Sequence, residues 1–171
     1  MLTKLLLMVF PLLVIYAALH DFRYYRITNK FNLILLLSFF PVALLAGMPW
    51  EVMLDHLKSF AVVLAVVFVL FMVTSKFGGG DAKMIAAAAI WIDFEMLPLF
   101  IVGVTLSGAV LAVLMWLWRL VQVEIGTWGN QDGAVTRKVV TTSFNLPYGA
   151  AIAAGGIMAY SQSWWKVLLA G

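Results

Sequence analysis

The chain is a succession of apolar runs separated by short polar breaks: Leu5–Leu19, Phe31–Ala46, Leu57–Thr74, Met84–Ile92, Leu97–Trp118 and Asn145–Tyr160. Runs of this kind enter a bilayer as helices when they approach about 20 residues. The first, fifteen residues with Pro11 in its middle, is completed by Leu2 to Lys4, with Lys4 reaching for the interface. A cleaved signal peptide is the alternative reading of Lys4 and the apolar residues behind it. The fourth run has only nine residues, about 14 Å of helix at 1.5 Å per residue, so it uses its flanks or enters only part way. The fifth is the cleanest span and carries Gly103 and Ser107 four apart, a spacing that lets another helix approach closely. Between the second and third runs, Gly47 to His56 reads as a connection, with Glu51, Asp55 and an interfacial Pro49-Trp50 pair. Arg119 to Ser143 is the largest hydrophilic piece, and the tail Ser161 to Gly171 carries Trp164, Trp165 and Lys166.

Composition turns this pattern into a fold class. The 171 residues are 64% hydrophobic and 11% charged, with a mean hydropathy of +1.03, whereas a soluble domain carries about 25% charged residues. The expectation is an all-α polytopic membrane protein of about six transmembrane helices, forming one domain over residues 1–171. A net charge of +3 without an aromatic-basic pattern excludes nucleic acid as a partner. The absence of cysteine excludes disulfides, thiolate nucleophiles and cysteine-based zinc sites. With six spans, Arg23, Arg26, Lys30, Lys76, Lys83, Arg119, Arg137 and Lys138 fall on one side, and Lys4, Lys58 and Lys166 on the other. The side richer in Lys and Arg is cytoplasmic. Asp21 and Asp81 lie on it, while Glu51, Asp55, Asp93 and Glu95 face away.

The candidate chemistry centres on Phe77-Gly78-Gly79-Gly80-Asp81-Ala82-Lys83. An ionisable residue between apolar runs is a functional candidate, and Asp21, at the end of the first run and about sixty positions earlier, faces the same leaflet. Two neighbouring carboxyls cannot both ionise easily, so one stays protonated while the other acts as base. Peptide hydrolysis needs that asymmetry. Gly78, Gly79 and Gly80 allow unusual backbone angles and close approach of a substrate segment. Lys83 either favours the ionised dyad or snorkels to the interface. For Asp81, a helix cap and a proton or ion relay are the alternatives; the chain is then a small transporter or an assembly scaffold without enzymatic activity, in which Asp21 and Asp81 carry protons or hold helices together. The segment is not a phosphate loop, which needs Gly-Lys-Ser or Gly-Lys-Thr. His20 beside Asp21 is not a metal pair, since adjacent helical residues do not face one another. Arg23, Arg26 and Lys30 read as a topology cluster.

Gly78-Gly79-Gly80-Asp81-Ala82-Lys83 resembles the Gly-x-Gly-Asp-x-Lys motif of type IV prepilin peptidases, membrane aspartic peptidases that include the archaeal preflagellin enzymes. Asp21, followed by Arg23 and by Ile27-x-Asn29, is similar to the family's first catalytic Asp region, and Pro147-Tyr148-Gly149 resembles the start of its last membrane segment. The resemblance covers essentially the whole chain. It implies a multi-pass protein of the bacterial inner membrane that removes the short basic leader of prepilins or pseudopilins at the cytoplasmic face. Asp21 and Asp81 are then the catalytic dyad, supported by Gly78, Gly79, Gly80, Lys83, Arg23 and Asn29. Neither cofactor nor metal is implied; the implied partners are the substrate, membrane lipid, and pilus or secretion components. The small size is similar to that of peptidases of tight-adherence (Flp) pilus systems. Larger relatives carry a cytoplasmic region with paired cysteines and also methylate the new N-terminus; this chain has neither, which speaks against methyltransfer. Presenilin and signal-peptide peptidases share Gly-x-Gly-Asp but place Tyr before their first Asp, where this chain has His20.

Overall fold

A computed structural model describes residues 2–74, 78–129 and 146–170. Within them every regular element is helical. Helix α1, Leu2–Tyr24, contains Pro11 and ends where Tyr25 takes a left-handed φ of 49°. Three residues later Thr28 caps α2, Asn29–Leu45, its hydroxyl accepting the N–H of Phe31 at 3.3 Å. So short a turn makes α1 and α2 antiparallel neighbours. Helix α2 stops in a paired C-terminal motif: Gly47, with φ of 70°, donates to the Leu44 carbonyl, and Met48 donates to that of Ala43.

Helix α3, Trp50–Val73, starts seven residues before the run expected from sequence. Met53, His56, Ser59, Val63 and Val67 are buried on it, a spacing of three and four that makes one helical stripe. Glu51, Asp55 and Lys58 occupy other faces, so the polar residues that suggested a connection decorate a helix instead. Helix α4, Gly79–Ala89, is about 16 Å long. Its alanines Ala86, Ala87, Ala88 and Ala89 are all buried, and these small side chains let α2, α3 and α6 pack around it.

A 3-10 turn, Phe94–Met96, leads into α5, Leu97–Gly129, which continues eleven residues past the expected end, running through Gly126 with no Pro to break it. Helix α6, Tyr148–Tyr160, packs on α5 and α1. A Cβ on Gly103 would meet the Gly155 Cα at 2.9 Å, and one on Gly155 would run into the Val104 backbone, so α5 and α6 touch backbone to backbone. Gly103 of the expected small-residue pair makes this contact; Ser107 is half-buried beside it. A second 3-10 turn, Trp164–Lys166, and the short α7, Val167–Ala170, complete the described chain. The middle of the bundle is aromatic: Phe10, Phe39, Trp91, Tyr160 and Trp165 stack or meet edge on. Their polar atoms are satisfied there, Trp91 Nε1 donating to Leu35 O and Trp165 Nε1 to Trp91 O, both at 2.9 Å, and Tyr160 Oη to Leu7 O at 3.2 Å.

Segments Leu5–Tyr24, Trp50–Val73 and Phe94–Val121 are long and apolar enough to cross a membrane; Asn29–Leu45 and Tyr148–Tyr160 are shorter apolar helices. Together with α4 these make the expected six-helix, all-α arrangement.

Candidate functional site

Phe10, Val14, Ala17 and Asp21 are buried at helical spacing along α1, so the stripe that packs α1 into the bundle carries a carboxylate at its polar end. Asp21 is 4% exposed. Its Oδ2 accepts the N–H of Gly149, in the first turn of α6, at 2.8 Å. A buried carboxylate is tolerable only with such compensation.

Asp81 lies in the first turn of α4, whose eleven residues are too few to span a bilayer. Burial and, second to it, the nearby Asp21 charge push its carboxyl up to about 6. The two carboxylates therefore interact at one end of the bundle although α1 and α4 are far apart in sequence. Among the described residues, nothing donates a hydrogen bond to Asp81.

Two of the three glycines are closely approached. A Cβ on Gly78, the residue before α4, would stand 2.7 Å from Asp81 Oδ2, and one on Gly80 would stand 3.3 Å from the Ile27 carbonyl oxygen. A Cβ on Gly79 would meet only the Phe71 ring at an ordinary 3.6 Å. Close approach at this run thus serves the Asp81 side chain and the α1–α2 turn.

The start of α2 fastens α4 to that turn. Asn32 Nδ2 donates to Gly80 O at 3.2 Å, and Lys83 Nζ donates to Asn29 Oδ1 at 3.0 Å. Asn29 and Asn32, three apart, share a helix face. Asn32 is 6% exposed, and its Oδ1 has no partner among the described residues. Lys83 ties two elements together, a role outside both readings of it from sequence. Arg23 is exposed in the last turn of α1, its guanidinium 5.8 Å above the Tyr24 ring, and is not drawn to the carboxylates. His20 Nδ1 lies 3.0 Å from Arg26 O and braces the basic turn. Among the described residues no group of three His, Asp or Glu could hold a metal ion. Of the hydrophilic stretch 119–143, the first part is helix α5, and residues 130–143 lie outside the described residues.

Sequence reasoning passed over Asn32, whose signal was its position three residues after Asn29. It noted Gly149 without a role, because the group it contributes is a backbone N–H.

A helical bundle with two interacting carboxylates at one polar end, one clamped by a helix start and the other beside a glycine run, has the parts for acid–base hydrolysis at a membrane edge. Residues 8–113 match the model of the type IV leader peptidase family, and the chain belongs to that family, which makes it a prepilin-type peptidase. The match contains Asp21, the glycine run and Asp81 and ends before Gly149. No curated protein and no solved structure matches the chain.

Proposed function

We propose that this peptidase is of the aspartic type: Asp21 and Asp81 activate water to cleave the short basic leader of a prepilin or pseudopilin at the cytoplasmic membrane face. The reading rests on one observation above the rest, that buried Asp21 and Asp81, in the first turn of α4, stand at the same end of the bundle, where burial and then the Asp21 charge push Asp81 up to about 6. One carboxylate then takes a proton from water while the other donates to the scissile carbonyl. The cytoplasmic side is supported by Lys and Arg residues gathered at this end, Arg23, Arg26, Lys30 and Lys83 among them, and the bacterial inner membrane by the resemblance to bacterial prepilin peptidases. Methyltransfer is not part of the proposal, since the paired cysteines of the bifunctional relatives are absent.

The test is cleavage of a co-expressed prepilin bearing a basic leader, read by gel shift and N-terminal sequencing. Wild type, Asp21→Asn and Asp81→Asn are compared at matched membrane levels. Trimming by wild type and by neither variant is the expected result; a variant that trims like wild type ends the aspartic reading.

A further inference from the structure

Pro147-Tyr148-Gly149 opens α6, lies beyond the family-matched residues, and at Gly149 offers no side chain for chemistry. Its backbone nevertheless touches Asp21. The Gly149 N–H donates to Asp21 Oδ2 at 2.8 Å, and a Cβ on Gly149 would stand 3.0 Å from both Asp21 Cβ and Oδ2. Any other residue at this position would push on the carboxylate. The N–H is one of the first-turn donors that no acceptor within a helix can use, and Asp21 is the acceptor it finds.

A hydrogen bond donated to a carboxylate favours its charged form. Asp21 has that bond, and Asp81 has none from the described residues. The two members are therefore unequal before any substrate arrives. Resting on the dyad proposed above, we infer that Gly149 is a positioning residue whose amide holds Asp21 as the ionised, water-activating carboxylate and leaves Asp81 as the proton donor.

The reaction then balances. Water oxygen bonds to the scissile carbonyl carbon as Asp21 takes a water proton, and the carbonyl π electrons move to oxygen, which takes the Asp81 proton. In the collapse one hydroxyl of the gem-diol returns its proton to Asp81, the C–N bond breaks, and nitrogen takes the proton held by Asp21. Both carboxyls end as they began. The oxygen of Asp21 that bonds Gly149 is engaged throughout, so the other one faces the water. A side chain at position 149 would disturb both the charge and the aim.

The decisive experiment replaces the Gly149 amide with an ester, using glycolate in place of glycine in the full chain, which deletes the N–H and adds no atom beyond the ester oxygen. Cleavage of a synthetic leader peptide by the reconstituted protein is followed against pH. Losing a hydrogen bond to a charged group displaces a titration by about one to two pH units. The acidic limb of kcat/KM is expected to move up by that amount, with kcat at a pH below both limbs down about 10- to 100-fold, KM little changed and the alkaline limb in place. Should the ester chain fail to assemble, Gly149→Ala is read by the same two limbs. Unmoved limbs, with or without loss of rate, overturn the role of Gly149. If wild type requires both Asp21 and Asp81 while the limbs stay put, the dyad stands and this inference alone fails; if wild type does not cleave, or cleaves without either carboxylate, the dyad itself fails.

Discussion

Both ends of the bundle hold partly or fully buried carboxylates, and they differ in how completely backbone donors satisfy them. At the end away from the glycine run, Asp55 Oδ2 accepts the N–H of Phe94 at 2.9 Å, and Asp93 accepts the N–H of Trp164 through both oxygens at 2.8 and 3.1 Å. Those N–H groups open the two 3-10 turns, so both carboxylates serve as caps. Asp93 also faces buried His56 Nε2 at 3.6 Å, while His56 Nδ1 donates to Ile90 O at 2.9 Å. At the other end, Asp21 has one backbone donor and Asp81 none among the described residues. Asp55, Asp93 and Asp21 each accept an N–H from the start of a helical turn, and what sets the glycine-run end apart is Asp81, which has no such donor among the described residues. A carboxylate left short of donors beside a second negative charge is costly to keep, and that cost makes it a proton donor near neutral pH.

The contrast breaks most visibly on amide substitution. Asp21→Asn and Asp81→Asn are expected to lower leader cleavage by about a thousandfold or more, the scale on which acid–base groups act together. Asp55→Asn and Asp93→Asn, each keeping an acceptor for its cap, should stay within about threefold of wild type in the same assay. Equal losses at the two ends would erase the distinction.

Asn32→Leu sharpens it next. The substitution releases the Gly80 carbonyl and, in the same step, removes an unpartnered buried acceptor. Cleavage should fall about 10-fold while thermal unfolding moves little, because the lost bond and the relieved desolvation offset one another. Unfolding as large as the loss of activity would make Asn32 a packing residue.

The pH dependence of stability comes third, and its sign is fixed by Asp81. The folded value is raised from 3.8 to about 6, so the stability carried by the protonated form is complete below 3.8 and is lost as pH rises through about 6. The unfolding temperature of wild type is expected to drop across that window, and Asp81→Asn to shrink the drop while abolishing cleavage. At the capped end, Asp93→Ala should cost about 1–2 kcal/mol of stability through the exposed start of the Trp164 turn and leave cleavage within about threefold. Lys83→Met is the smallest change: its bond to Asn29 is exposed, and cleavage within about twofold of wild type is expected.

Much of this was legible in the chain. Six apolar runs marked six helices, and the parity of the spans put Asp21 and Asp81 at one end and Asp55 and Asp93 at the other. Boundaries were lost where local signals conflicted with packing. Pro49, Glu51 and Asp55 suggested a connection, but the Met53, His56, Ser59, Val63 stripe made helix the better solution, since it buries four side chains on one face. The end of α5 was placed at Trp118 because the apolar run stops there; a helix stops only where its backbone is broken or capped. The glycine run was visible, but not that Gly78 and Gly80 are closely approached, by the Asp81 side chain and the Ile27 carbonyl, while Gly79 is not. Least legible was the Gly149 contact, since a backbone N–H 128 residues from its acceptor leaves no residue pattern to read.

The central claim is that Asp21 and Asp81 behave as one coupled pair, and the most direct measurement is the infrared band of the protonated Asp81 carboxyl, followed against pH in wild type and in Asp21→Asn and assigned by its loss in Asp81→Asn. The expected result is a titration at about 6 in wild type and at a lower pH in Asp21→Asn, still above 3.8 because burial, the larger cause, remains. The same titration in both proteins would contradict the pairing.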